Sequence, residues 1–241
     1  MITVVTGLAA FLVGLGKGGL GGMIGALITA MMALVLPPEK VIGLVLPLLM
    51  VGDVFAVAVH WGKWDRSLIL QLVPGGILGV LLATSLLYRI SGEGLRTALG
   101  LIVLLFVVYK LFEGRLLPQS DFQPRRYHGW LAGVVSGITS TLAHGGGPPV
   151  SIFLVIQSMQ PQKFAATAAL YLFILNWMKV PSYFFAGLFD WGLIRSDLWA
   201  IPLVPLGVWS GKWLVGRIGR TSFERLIVLL LGISGILLLL R

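Results

Sequence analysis

A chain that is apolar along most of its length is interrupted twice by the same event: a glycine-rich run holding one ionisable residue, after which the apolar stretch resumes. The first break is Gly16-Lys17-Gly18-Gly19-Leu20-Gly21-Gly22, and the second, about half a chain later, is His144-Gly145-Gly146-Gly147-Pro148-Pro149. In lipid every backbone N–H and C=O must be satisfied internally, so a broken helix is tolerated only inside protein or lining a cavity. Two breaks at matching places in two halves point to a transport site near the bilayer midplane.

The rest of the composition agrees with a membrane setting. The chain is 57% hydrophobic and 11% charged, against roughly 25% charged in soluble domains. Apolar runs close to the ~20 residues needed to cross a bilayer cover residues 41–59, 68–88, 164–186 and 198–216, with shorter ones at 95–109 and 226–240. The expected fold is therefore an all-α, multi-pass integral membrane protein. The net charge of +9 does not indicate nucleic acid, because the basic residues sit singly in short loops, where Lys and Arg mark the cytoplasmic face. Cysteine is absent, which excludes disulfides and thiolate metal sites. The start, Met1-Ile2-Thr3-Val4-Val5, lacks the basic region of a signal peptide, so the first segment is expected to stay in the mature protein. Trp61, Trp64, Trp130, Trp191 and Trp199 fall near segment ends and read as interfacial anchors.

Self-comparison reveals a repeat of about half the chain. Pro38-Glu39-Lys40 recurs as Pro161-Gln162-Lys163, Trp61-Gly62 as Trp191-Gly192, Leu72-Val73-Pro74 as Leu203-Val204-Pro205, and Arg89-Ile90 as Arg217-Ile218. Residues 1–112 form the first repeat and 128–241 the second, joined by a polar loop at 113–127 that contains Pro118 and Pro124. Each repeat reads as a broken element followed by three apolar segments. The pieces of the broken element, 2–15 with 23–36 and 129–143 with 150–159, are each too short to span comfortably.

Such an element is one crossing split in two, or a pair that folds back to the side it entered. If each makes one crossing, the lysines and arginines outside the membrane divide eight against eight between the two faces. If each folds back, one face holds Lys40, Arg89, Arg96, Arg195 and Arg241, while the other holds eleven. That asymmetry is what the positive-inside rule requires. The expectation is thus two inverted repeats, each a broken or re-entrant pair plus three transmembrane helices, with the joint in the cytoplasm and both termini outside.

Glycine lets backbone approach a ligand closely, and Pro148-Pro149 suits the first turn of a helix. A helix N-terminus presents unpaired N–H groups and partial positive charge, a site for anions. The candidate substrate-binding residues are Lys17, Gly18, Gly19, Gly21, Gly22, His144, Gly145, Gly146 and Gly147. Close helix packing is the competing role for such glycines. Asn176 and Lys179 join the set because a spacing of three puts them on one helix face. Asp53 and His144 are candidates for proton coupling, since intramembrane ionisable groups are expensive and default to function. Asp53 otherwise serves as the partner of a buried lysine, and Lys179 otherwise snorkels to an interface. Thr139, Ser140, Thr141 and Ser151 either donate to a ligand or bond back to their own helices. Gly-Lys-Gly-Gly lacks the spacing of a nucleotide-binding loop. With three histidines, His60, His128 and His144, no catalytic constellation or metal site assembles, and no enzyme activity or cofactor is expected.

At these same residues the chain resembles the sulfite exporter TauE/SafE family, also called the TSUP family of membrane permeases. The first break, Pro37-Pro38 and Pro47 to Asp53 are similar to that family's first repeat. The second break, Ala166-Thr167, Asn176, Lys179 and Pro181 are similar to its second. The resemblance implies transport of sulfite, a sulfonate, thiosulfate or a related small sulfur anion across the bacterial cytoplasmic membrane. A passive anion channel is the alternative, and the partners implied are the anion, the lipid bilayer and, as an assembly, a homodimer.

Overall fold

The computed structural model describes residues 2–19, 23–116, 124–196, 198–218 and 220–240, and every element among them is helical. The first broken element is α1 (Ile2–Gly19) followed by α2 (Ile24–Ala33). Three long helices come next, α3 (Pro38–Val59), α4 (Arg66–Leu87) and α5 (Gly92–Leu116). The second broken element is α6 (Arg126–Ala143) with α7 (Gly147–Val155). It leads into α8 (Pro161–Phe185), the short α9 (Trp191–Ser196), a 3₁₀ turn at Leu198–Ala200, α10 (Leu203–Ile218) and α11 (Arg220–Leu240).

Local chemistry sets these boundaries. Pro38 and Pro161 open α3 and α8, where proline's fixed φ suits the first turn and its missing N–H would have been unpaired anyway. Asp65 caps α4 by accepting the Leu68 N–H at 3.1 Å, satisfying one of the orphan donors of that end. Pro47, Pro74 and Pro181 lie inside α3, α4 and α8, and each removes one i→i−4 bond.

Two expectations need correction. The run 198–216 is not one continuous α-helix: it begins as a 3₁₀ turn and only Leu203–Ile218 is α-helix. Pro202 lacks an N–H and disfavours helix at Ile201, which separates the pieces. The joint is also more helical than its polarity indicates, since α5 runs on to Leu116 and α6 starts at Arg126. Glu113 accepts from Lys110 at 2.6 Å and from Tyr109 at 3.0 Å, and such i,i+3 and i,i+4 pairs prolong a helix.

Helices α3, α4, α5 and α8 are long and apolar enough to cross a membrane. Their outer faces suit lipid, as Leu81, Leu82, Leu101, Leu105 and Phe185 are exposed.

The two most extensive interfaces between the halves are α4 on α6 and α1 on α10, and glycine makes both. A Cβ on Gly133 would stand 2.2 Å from the Leu72 carbonyl oxygen, and one on Gly14 would stand 1.9 Å from that of Val204. Backbone therefore touches backbone, the close approach that small residues permit between membrane helices.

Helices α3 and α8 run antiparallel. Lys40 at the start of α3 reaches Asp190 beyond the end of α8 at 3.4 Å, and Lys163 at the start of α8 reaches Asp65 beyond the end of α3 at 2.7 Å. A single crossing at each broken element would have made the two helices parallel. The Lys163 hydrogen bond holds the Asp65 carboxyl below its usual pKa, while Asp190 is lowered chiefly by the Leu193 N–H.

Candidate functional site: a polar centre between the two breaks

Lys17 lies in the last turn of α1, where the negative end of the helix dipole favours a cation. Its stem passes over Gly52 of α3, and its ammonium forms an ion pair with Asp53 Oδ1. Asp53 is fully buried, and its second oxygen accepts from Asn176 Nδ2 of α8 at 2.5 Å. Asp53 is thus the buried partner of a partly buried lysine.

The second break ends differently. His144 closes α6 in the left-handed region, at φ 52°, a conformation that costs a non-glycine residue roughly 1–2 kcal/mol. Two bonds hold the turn, from the His144 N–H to Ser140 O at 2.9 Å and from the Gly145 N–H to Thr139 O at 3.1 Å. The imidazole is fixed at both nitrogens, with Nε2 2.9 Å from the Ile42 carbonyl and Nδ1 2.9 Å from Lys179 Nζ. Lys179 also donates to Ser140 Oγ at 3.1 Å and Ser140 O at 3.3 Å. It is fully buried, so it does not snorkel to an interface. Tyr183, one turn further along α8, donates to Thr141 O at 2.6 Å.

One face of α8 therefore reaches both breaks, through Asn176 to the first and through Lys179 to the second. Between them lies a pocket of about 20 Å³ lined by Gly16, Lys17, Ser140, His144 and Asn176, room for about one water. Lys17 also lines a cavity of about 530 Å³ with Gly147, Pro148 and Ser151. That cavity extends to Lys110, Glu113 and Glu224 on the side of the joint, where Lys110 bridges the two carboxylates. At the opposite end of α8 a separate cavity of about 640 Å³ is lined by Glu39, Lys40, Ser91 and Asp190.

The remaining expected residues divide. Gly147 opens α7 and lies on the cavity wall, yet Pro148 and Pro149 have no N–H, so this helix start offers fewer donors than an ordinary one. Gly145 and Gly146 are buried against neighbours: a Cβ would come 2.2 Å from the Phe106 ring and 2.9 Å from Ser140 Cβ. Gly18 and Gly19 belong to the end of α1, and Gly21 and Gly22 lie outside the described residues. Thr139 bonds back to Val135 O and Gly145 O, as helix hydroxyls often do.

A family model described as sulfite exporter TauE/SafE matches residues 6–238 of the 241-residue chain. The chain belongs to that family. No curated protein and no solved structure matches it. As a TauE/SafE family member with several membrane-crossing helices, it is a multi-pass membrane protein of a transporter family. Sequence reasoning overlooked two groups that shape this TauE/SafE centre. Tyr183 was legible, because it follows Asn176 and Lys179 at helical spacing. The Ile42 carbonyl was not, since a backbone acceptor carries no residue-type signal.

Proposed function

We propose that this chain is a secondary carrier that moves sulfite or a related small sulfur oxyanion or organosulfonate across the bacterial cytoplasmic membrane. The anion binds at the polar centre, with Lys17 as its principal charge contact. The observation that carries this reading is the position of Lys17, which lines both the large cavity and the small pocket between the breaks.

The two halves work as inverted repeats. Antiparallel α3 and α8, the reciprocal ion pairs at their ends, and the matched glycine contacts of α1 on α10 and α6 on α4 all support that reading. With the basic joint in the cytoplasm, the 530 Å³ cavity opens inward. Rocking of one half against the other closes it and opens the cavity beside Lys40. The narrow centre favours such a carrier over a passive channel, because about 20 Å³ leaves no room for a tetrahedral oxyanion until something moves. Asp53 couples a proton in this reading: the anion binds while Asp53 is ionised, and the proton follows it onto Asp53 as the halves rock.

Reconstituted into proteoliposomes, the protein should accumulate labelled sulfite against preloaded unlabelled sulfite, and the counterflow should saturate. Linear, non-saturating flux with large electrical currents would establish the channel instead. An imposed pH gradient should raise the initial rate in wild type and leave it unchanged in Asp53→Asn.

A further inference from the structure

Four ionisable side chains among the described residues meet at the polar centre, and their hydrogen bonds assign a charge to each. The Ile42 carbonyl has only lone pairs to offer, so His144 Nε2 carries a hydrogen; in the neutral ring Nδ1 is then an acceptor. Lys179 Nζ has three acceptors, His144 Nδ1, Ser140 Oγ and Ser140 O, which matches the three hydrogens of an ammonium. Both Asp53 oxygens accept, one from Lys17 and one from Asn176, as an ionised carboxylate does. Tyr171 and Tyr183 face the same region and donate to the carbonyls of Gly133 and Thr141, so both are neutral. Two cations and one anion remain, and the centre carries one net positive charge.

Asp53 and Lys179 are buried completely, and an uncompensated charge at that depth is costly. An arriving anion of charge minus one brings the centre to neutrality, whereas a dianion leaves it negative. Resting on the anion-carrier reading above, we propose that Asp53 sets the valence of the substrate, so that the site takes a singly charged oxyanion, such as hydrogensulfite or an organosulfonate, in preference to a dianion. Asp53 acts as a specificity-determining residue by cancelling one of the two lysines.

Methanesulfonate and sulfate test this directly, since they are tetrahedra of nearly the same size that differ by one charge. Titration calorimetry of the purified full chain in micelles should show methanesulfonate binding at least ten-fold tighter than sulfate. Asp53→Asn keeps a side chain of the same shape and raises the centre to two positive charges, so the preference should invert to sulfate by a similar factor. Lys17→Gln combined with Asp53→Asn returns the centre to one positive charge and should restore the preference for methanesulfonate, with weaker affinity. A wild-type protein that prefers sulfate or treats the two ions alike overturns the assignment, as does a folded Asp53→Asn variant with wild-type preference. If Asp53→Asn does not fold, the wild-type ratio and the double variant decide. Failure of wild type to bind methanesulfonate, sulfate and sulfite alike refutes the carrier reading itself, whereas sulfite binding without valence preference removes only the role of Asp53.

Discussion

The two breaks interrupt their helices with similar residues and then spend them differently. At the first, the last turn of α1 carries a lysine that borders a cavity and pairs with a carboxylate supplied by another helix. At the second, α6 ends on a histidine held between a backbone carbonyl and Lys179, with no exposure to the large cavity. The first break holds a charge that, in the proposed carrier, a ligand takes over from Asp53. The second is locked through bonds that leave its imidazole no free nitrogen. Two breaks of similar sequence therefore differ in side-chain chemistry, and in the proposed carrier one is responsive and the other supporting.

The sharpest way to break this comparison is to remove Lys17. Lys17→Ala leaves Asp53 buried without its cation, and losing one partner of a buried pair costs about 3–5 kcal/mol. Denaturant unfolding in micelles should register that loss, and adding Asp53→Asn should recover most of it, while sulfite affinity stays at least ten-fold below wild type. Equal sulfite affinity in the folded double variant would remove Lys17 from the site and leave the two breaks alike.

Lys179→Met probes the supporting break. It strands Ser140 and His144 Nδ1, and buried groups deprived of partners cost about 1–3 kcal/mol. Methionine fills most of the lysine's volume, so the change should destabilise less than Lys17→Ala. Sulfite affinity should also fall less, because Lys179 borders neither the large cavity nor the central pocket and contacts the site through His144. A larger loss of affinity here than in the Lys17 variant would reverse the roles assigned to the two breaks.

Much of this was legible in the sequence, for identifiable reasons. Run length, glycine and proline are local signals, so the long helices and the second break fall where the residues place them; at the first, α1 runs on as helix to Gly19, so Lys17 stands at a helix end and not at the helix start expected there. The shared face of Asn176 and Lys179 follows from helical spacing, and the antiparallel course of α3 and α8 from the asymmetric distribution of lysine and arginine. The partner of Lys17 was not legible: Asp53 lies 36 residues away, and two functional candidates satisfy one another only in three dimensions. The short α9 was hidden by its setting, since Phe189, Trp191, Leu193 and Ile194 read as apolar without a period long enough to identify. The packed state of Gly145 and Gly146 was equally hidden, because glycine signals closeness without saying whether a ligand or a neighbour comes close.

The two ends of α3 and α8 give the smallest and most specific test. Lys163 and Asp65 are bonded at 2.7 Å and partly buried, while Lys40 and Asp190 are longer at 3.4 Å and more exposed. Asp65 is held below its ordinary pKa, mainly by the Lys163 hydrogen bond. A carboxylate lowered in the folded state contributes stability that is fully present above the unfolded value of about 3.9 and is lost as pH falls through the folded value. Asparagine caps a helix about as well as aspartate, so Asp65→Asn isolates the ion pair and should cost no more than about 1 kcal/mol at neutral pH, as expected for a partly exposed pair. The gap between wild type and variant in thermal unfolding should close as pH is lowered from 6 toward 3, and Asp190→Asn should show a smaller gap throughout. A gap for Asp190→Asn as large as that for Asp65→Asn would mean that the two ends are clamped equally.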